Sequence, residues 1–127
     1  MEQLAKRLLS QFQPKLSNEN VGLSFNIDEH LAYVNQEILD KLGYSSKEEV
    51  KLLHPFMLSP VEQPCGTLSS TKSMLMLKQA KVLGDKNFPW VHTSATGEEI
   101  KCHIYLYCVK EHSDVPDLDI YAIWQFL

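Results

Sequence analysis

The feature that most constrains this chain is where its helical periodicity stops: none follows Gly84. Phe88, Trp90 and His92 fall on one face of a strand whose other face carries Pro89, Val91 and Thr93. In "IKCHIYLYCV", Cys102, Ile104, Leu106 and Cys108 alternate with His103, Tyr105, Tyr107 and Val109, and "LDIYAIWQFL" closes the chain as a last strand. Alternation marks strands, because successive side chains point to opposite faces. Upstream, "VGLSFNID" sets Val21, Leu23, Phe25 and Ile27 against small or polar neighbours, which predicts a half-buried strand. "LAYV" predicts its antiparallel partner after the turn "DEH". The order predicts an α+β fold: a five-stranded antiparallel sheet with short helices inserted between its two halves, not a doubly wound sheet. One face of the sheet meets those helices, and an N-terminal amphipathic helix is the candidate cover for the other.

The helical signals are local and chemical. Met1 to Leu16 carries Leu4, Leu8, Leu9 and Phe12 at helical spacing, with Pro14 at or past the end. Asn35 predicts a cap for a helix bearing Ile38, Leu39 and Leu42, which Gly43 stops in a left-handed conformation. Ser46 and Glu49 form a capping box for a further helix start. "PFML" fits one helical turn within the proline-rich stretch His54–Ser70. The cluster Ser69-Ser70-Thr71 predicts the cap of a third helix, ended by Gly84, with Met74, Leu75, Leu77 and Leu83 as its apolar residues.

At 127 residues the chain reads as one domain, able to bury a core without staples. A net charge of -4 argues against general nucleic-acid binding, which needs clustered Lys and Arg. The apolar runs are too short to span a bilayer and no secretory signal follows Met1, so a cytoplasmic protein without direct membrane insertion is expected. Cys65, Cys102 and Cys108 include no C-x-x-C pair, so neither a zinc knuckle nor a redox motif is expected, and the odd count fits a reducing compartment.

Five pieces stand in order: "FNIDEHLAYVN", "LGYSSKEE", "LSPVEQPCG", "FPWVHTSATGEEI" and "IYAIWQ". Together they resemble the PAS family, of the bacterial sensory-box type, from about Asn20 to Gln125. The resemblance implies a helix over 1–18 and a PAS domain over 19–127. It implies a sensory module that holds a small ligand between sheet and helices, or mediates association, and couples to a signalling output domain or partner protein. Diguanylate cyclases, histidine kinases and chemoreceptors are such outputs. A homodimer through the first helix follows, with Leu4, Leu8 and Phe12 as the interface or the sheet-covering face. Two positions depart from the family pattern. Asp28-Glu29 replaces the usual Asp-Gly turn, which then differs or accepts strain. The chain reads "WQFL" where the family continues Trp-Arg-Asp-Ile-Thr into a coupling helix, so it is either a fragment or acts alone through a partner.

Phe56, Met57, Met74, Met76, Trp90, Tyr105 and Trp124 come from the elements that enclose the family's cavity, and methionines and aromatics adapt to irregular apolar ligands. Filling a core is their bland alternative. Trp90, His92 and Tyr105 are the candidates to orient a ligand by hydrogen bonding. The ligand itself is unknown. Flavin is not expected, because the family's Asn-Cys-Arg-Phe-Leu-Gln string is missing and Cys65 shows no neighbouring cation in the sequence. Haem is not expected either: the resemblance implies a histidine on the helix before the third strand, none lies between Thr71 and Gly84, and His54 is a remote axial candidate. His92 and His103 sit on neighbouring strands, but a metal would need a third ligand, and none is expected. No catalytic residue is assigned: P-loop, G-x-S-x-G and H-E-x-x-H are all missing. An enzyme of the small cone-shaped isomerase or dehydratase kind would require a histidine–carboxylate pair in the cavity.

Overall fold

Two hairpins and a central strand make the sheet. β1 (Val21–Ile27) pairs antiparallel with β2 (His30–Val34), and β3 (Asp85–Thr93) with β4 (Glu99–Cys108). β5 (Ile120–Phe126) lies between β1 and β4 and pairs antiparallel with both, giving the order β2-β1-β5-β4-β3. The computed structural model describes residues 2–11, 21–28, 30–51, 53–109 and 118–127.

The chain leaves the first hairpin as its local chemistry dictates. Asn35 Oδ1 accepts from Ile38 N–H at 3.3 Å, starting α2 (Gln36–Leu42), and from Leu23 N–H at 3.1 Å, tying that helix to β1. Gly43, at φ 79°, stops α2 with its N–H on the Leu39 carbonyl. Glu49 Oε1 accepts from the N–H of Ser45 at 2.9 Å and of Ser46 at 3.0 Å. The capping box is there, but it starts only a 3-10 turn, Lys47–Glu49. A second such turn, Pro55–Leu58, is the "PFML" segment. Asp28 accepts the strain that the missing glycine implies, at φ 51°, and its N–H donates to Asp119 Oδ2 at 2.8 Å.

The long helix α3 (Ser69–Leu83) corrects two expectations. Leu68 occupies its N-cap without a side-chain bond, because the Ser69 hydroxyl is turned inward to accept from Gln63 Nε2 at 2.9 Å. Its buried face is Ser69, Ser73, Met76, Leu77 and Ala80, whereas Met74, Leu75 and Leu83 are exposed to differing degrees. Small residues let the helix lie close to the sheet, so the pattern read from its large side chains was rotated from the true one.

α1 (Glu2–Gln11) covers the opposite face: Leu4, Ala5 and Leu8 are buried in one cluster with Val21, Leu23, Phe25 and Ile123. Phe12 and Pro14 lie outside the described residues. Because both faces are covered, β1 is buried along nearly its whole length rather than half-buried, and its small and polar residues face the inserted helices. Gly22 is needed there, since a Cβ would sit 2.5 Å from Ile38 Cγ1. At the far edge, Gln63 clasps β3. Its Oε1 accepts from Val91 N–H at 2.9 Å and its Nε2 donates to Val91 O at 3.0 Å. Pro89 sits in that same edge strand, where a missing N–H breaks no ladder.

Candidate functional site

On the helix-covered face the sheet and α3 leave a small cavity of about 40 Å³. β1 contributes Ser24 and Asn26 to its wall, β3 contributes Trp90 and His92, β5 contributes Trp124, and α3 contributes Ser73. Period-two alternation explains the set, since each strand offers every second residue to this face.

His92 is its chemical centre. The residue is 3% exposed, and its ring stacks on Trp124 with centroids 4.0 Å apart and planes 4° from parallel. Nδ1 lies 3.1 Å from the Leu58 carbonyl, which can only accept, so Nδ1 carries the proton. Burial pushes the pKa of His92 down to about 4, against the raising effect of the Leu58 bond, so the ring is neutral near pH 7. Nε2 is then a lone pair, enclosed and without a hydrogen-bond partner. Trp90 Nε1 donates to Ser59 Oγ at 2.9 Å, and Trp124 Nε1 to Ser24 Oγ at 3.0 Å.

Of the expected pocket residues, the structure brings together Trp90, His92 and Trp124. It places Tyr105 on the opposite face, packed against the α1 cluster with its hydroxyl donating to Gln125 Oε1 at 3.4 Å. Period two fixes this outcome, since Ile104 and Leu106 face the cavity. Phe56, Met57 and Met74 lie outside the wall as well. Phe56 packs on His54 with ring centroids 4.5 Å apart, Met57 is 55% exposed, and Met74 Sδ is 3.0 Å from His54 Nε2. Met76 is buried in the core. Leu4 and Leu8, expected at a dimer interface or on the sheet, are used on the sheet. His103 points away from His92, its Nε2 3.0 Å from Asn87 Oδ1 on the other face, so the two do not converge.

Sequence reasoning missed Ser24, Asn26 and Ser73, which it had no reason to turn inward. A signal did exist: a strand covered on both sides cannot show its polar residues to water. Cys65 also needs correction. Lys72 Nζ, one turn into α3, lies 3.5 Å from its sulfur. Hydrogen bonds from Thr67 and then this lysine bring the exposed thiol down to about 7.

No family model matches the chain, and no curated protein does. Solved structures do. The PAS domain of an HTR-like protein from Haloarcula marismortui superposes with a TM-score of 0.68 at 16% identity, covering 99% of this chain and 93% of that one. The chain has the PAS fold. The PAS domain of a LuxR-family transcriptional regulator from Burkholderia thailandensis, in complex with ethanol, gives 0.63 at 14% identity, covering 95% and 96%. The blue-light activated histidine kinase EL346 of Erythrobacter litoralis gives 0.65 at 18% identity, covering 85% of this chain and 33% of that one. Flavin, which the family implies for some members, does not fit this PAS cavity. Among the described residues no cysteine lines it to form an adduct, and no Lys or Arg lines it to meet a phosphate. Among the described residues no Asp or Glu lines it either, so they form no histidine–carboxylate pair of the isomerase kind there.

Proposed function

We propose that the chain is a sensory PAS module that binds a small molecule between sheet and helices and passes the event to a signalling output domain or partner protein. The observation that carries this reading is the cavity itself. It lies between the sheet and α3 and is walled by two tryptophans and a neutral buried histidine. The PAS domain solved with ethanol and the histidine kinase containing this fold are consistent with it. α1 is the element suited to transmit the change, because it packs on strands whose other face lines the cavity. Occupancy would bias the population of the docked helix against a released one. Release would bare Leu4 and Leu8 and so offer them to a second copy. With its three cysteines free, the module suits a reducing compartment such as the cytoplasm.

Native mass spectrometry of the purified chain tests the reading. An added small mass that leaves on unfolding supports it. A bare polypeptide mass, with a melting temperature that no cell-extract fraction of small molecules raises, sinks it.

A further inference from the structure

The outward side of α3 carries a second apolar stripe. The helix already gives Met76, Leu77 and Ala80 to the core, yet Leu68, Leu75 and Val82 are 46%, 48% and 76% exposed. These three recur every seven residues from the N-cap to the last turn, on the side turned away from the sheet. Seven residues are close to two turns, so the three form one line about 21 Å long. Single apolar residues on a surface are ordinary, but a helix apolar on two opposite sides is suited to packing on both. Lys72 and Lys78 flank the stripe, Lys81 lies beyond them, and the helix itself has no acidic residue. Glu62, bridged to Leu68, and Asp85, past the Gly84 stop, stand at its two ends. In a chain of net charge -4 this is a basic face.

We propose that this face of α3 docks an α-helix of a partner protein, whose apolar seam lies along Leu68, Leu75 and Val82 and whose acidic flanks meet Lys72, Lys78 and Lys81. Charge complementarity selects this occupant. Where two helices pair along an apolar seam, the residues beside the seam choose the partner by their charges. A second copy would set lysine against lysine across the seam, and like charges juxtaposed there oppose association. A lipid surface anionic enough to draw the three lysines would repel the net charge of -4 on the whole chain. Ser73 and Leu77, on the opposite side of the same helix, line the cavity, so the docked helix would sit back to back with it. The inference goes beyond the sensory reading and holds whether or not the cavity is filled.

The probe is a fluorescently labelled peptide of three heptads with Leu at both seam positions and Glu at the flanking ones, whose own like charges oppose its self-pairing. Its counterpart carries Lys in place of Glu. Anisotropy titrations with the full chain are expected to show saturable binding of the Glu peptide, at least about tenfold tighter than the Lys peptide. Leu75→Glu puts a carboxylate into the seam and is expected to weaken the Glu peptide at least about tenfold. Lys78→Glu keeps the seam and is expected to narrow the preference between the two peptides, a ratio that a mere loss of folding would not move. Leu75 and Lys78 are both exposed, so both variants are expected to fold, and should Leu75→Glu fail to, Lys78→Glu decides. No binding of either peptide, or equal binding of both, overturns the proposal. Tighter binding to phosphatidylserine-containing vesicles than to the Glu peptide overturns it in favour of a membrane. A concentration-dependent dimer that Leu75→Glu dissolves overturns it in favour of a second copy. None of these results bears on the cavity, whose own test is the mass measurement.

Discussion

A histidine buried neutral makes folding sensitive to acid. The unfolded chain protonates His92 near its ordinary value of 6.5, whereas the folded chain resists until about 4. Protons therefore favour the unfolded state between those values, and stability is lost as pH falls through that window. The difference is worth roughly 3 kcal/mol when complete. Urea titrations from pH 7 to 4 are expected to show this loss, and His92→Phe is expected to remove most of it; a parallel profile in the variant would assign the loss elsewhere. At this scale the sequence was partly legible. The alternation Phe88, Trp90, His92 puts the right three residues on one face. Nothing in that string shows that Leu58, far off in the chain, orients the ring. Tyr105 was misplaced because its aromatic character outweighed its odd position in β4. Lys72 escaped notice beside Cys65 because only the loop before α3 brings the two together.

Elements were easier to read than their faces. The Asn35 cap and the Gly43 stop are chemical statements that no tertiary contact overrides. In α3, by contrast, the buried stripe is built on two serines and an alanine, which no hydrophobic count would choose. α1 shows which forces hold a helix to a sheet. Lys47 Nζ is 2.6 Å from Glu2 Oε1, and it also lies over the Tyr33 ring at 4.7 Å. The hydrogen bond from Lys47 holds the Glu2 carboxyl below its ordinary value of 4.5, so the stabilisation is present above that value and is lost as pH falls through the lower folded one. Both side chains are largely exposed, and solvent screens such pairs. The apolar contact dominates: Leu8→Ala is expected to cost about 2 to 5 kcal/mol, and Glu2→Gln less than about 1 kcal/mol. Chemical denaturation of the two variants checks the ranking, and a larger loss in Glu2→Gln would make the ion pair the principal latch.

For the whole molecule, one consequence of two covered faces is that the polar residues of β1 have nowhere to go but inward. The α+β order and the five antiparallel strands follow from alternation and turn chemistry alone, whereas the cavity depends on how far α3 stands off the sheet, a distance no single segment encodes. The sheet's outer limit at β3 depends on one amide. Gln63→Ala is expected to cost about 1 to 3 kcal/mol by stripping both partners from the Val91 backbone, and to raise concentration-dependent scattering. Unchanged melting and scattering would show that the amide is dispensable. In effect Gln63 is a one-residue sixth strand, grown from the chain's own loop and too short to be extended. With Pro89 beside it, the row of backbone groups that another polypeptide could copy is interrupted on this flank. In a crowded solution, β3 thereby offers its neighbours no continuous edge along which to polymerise.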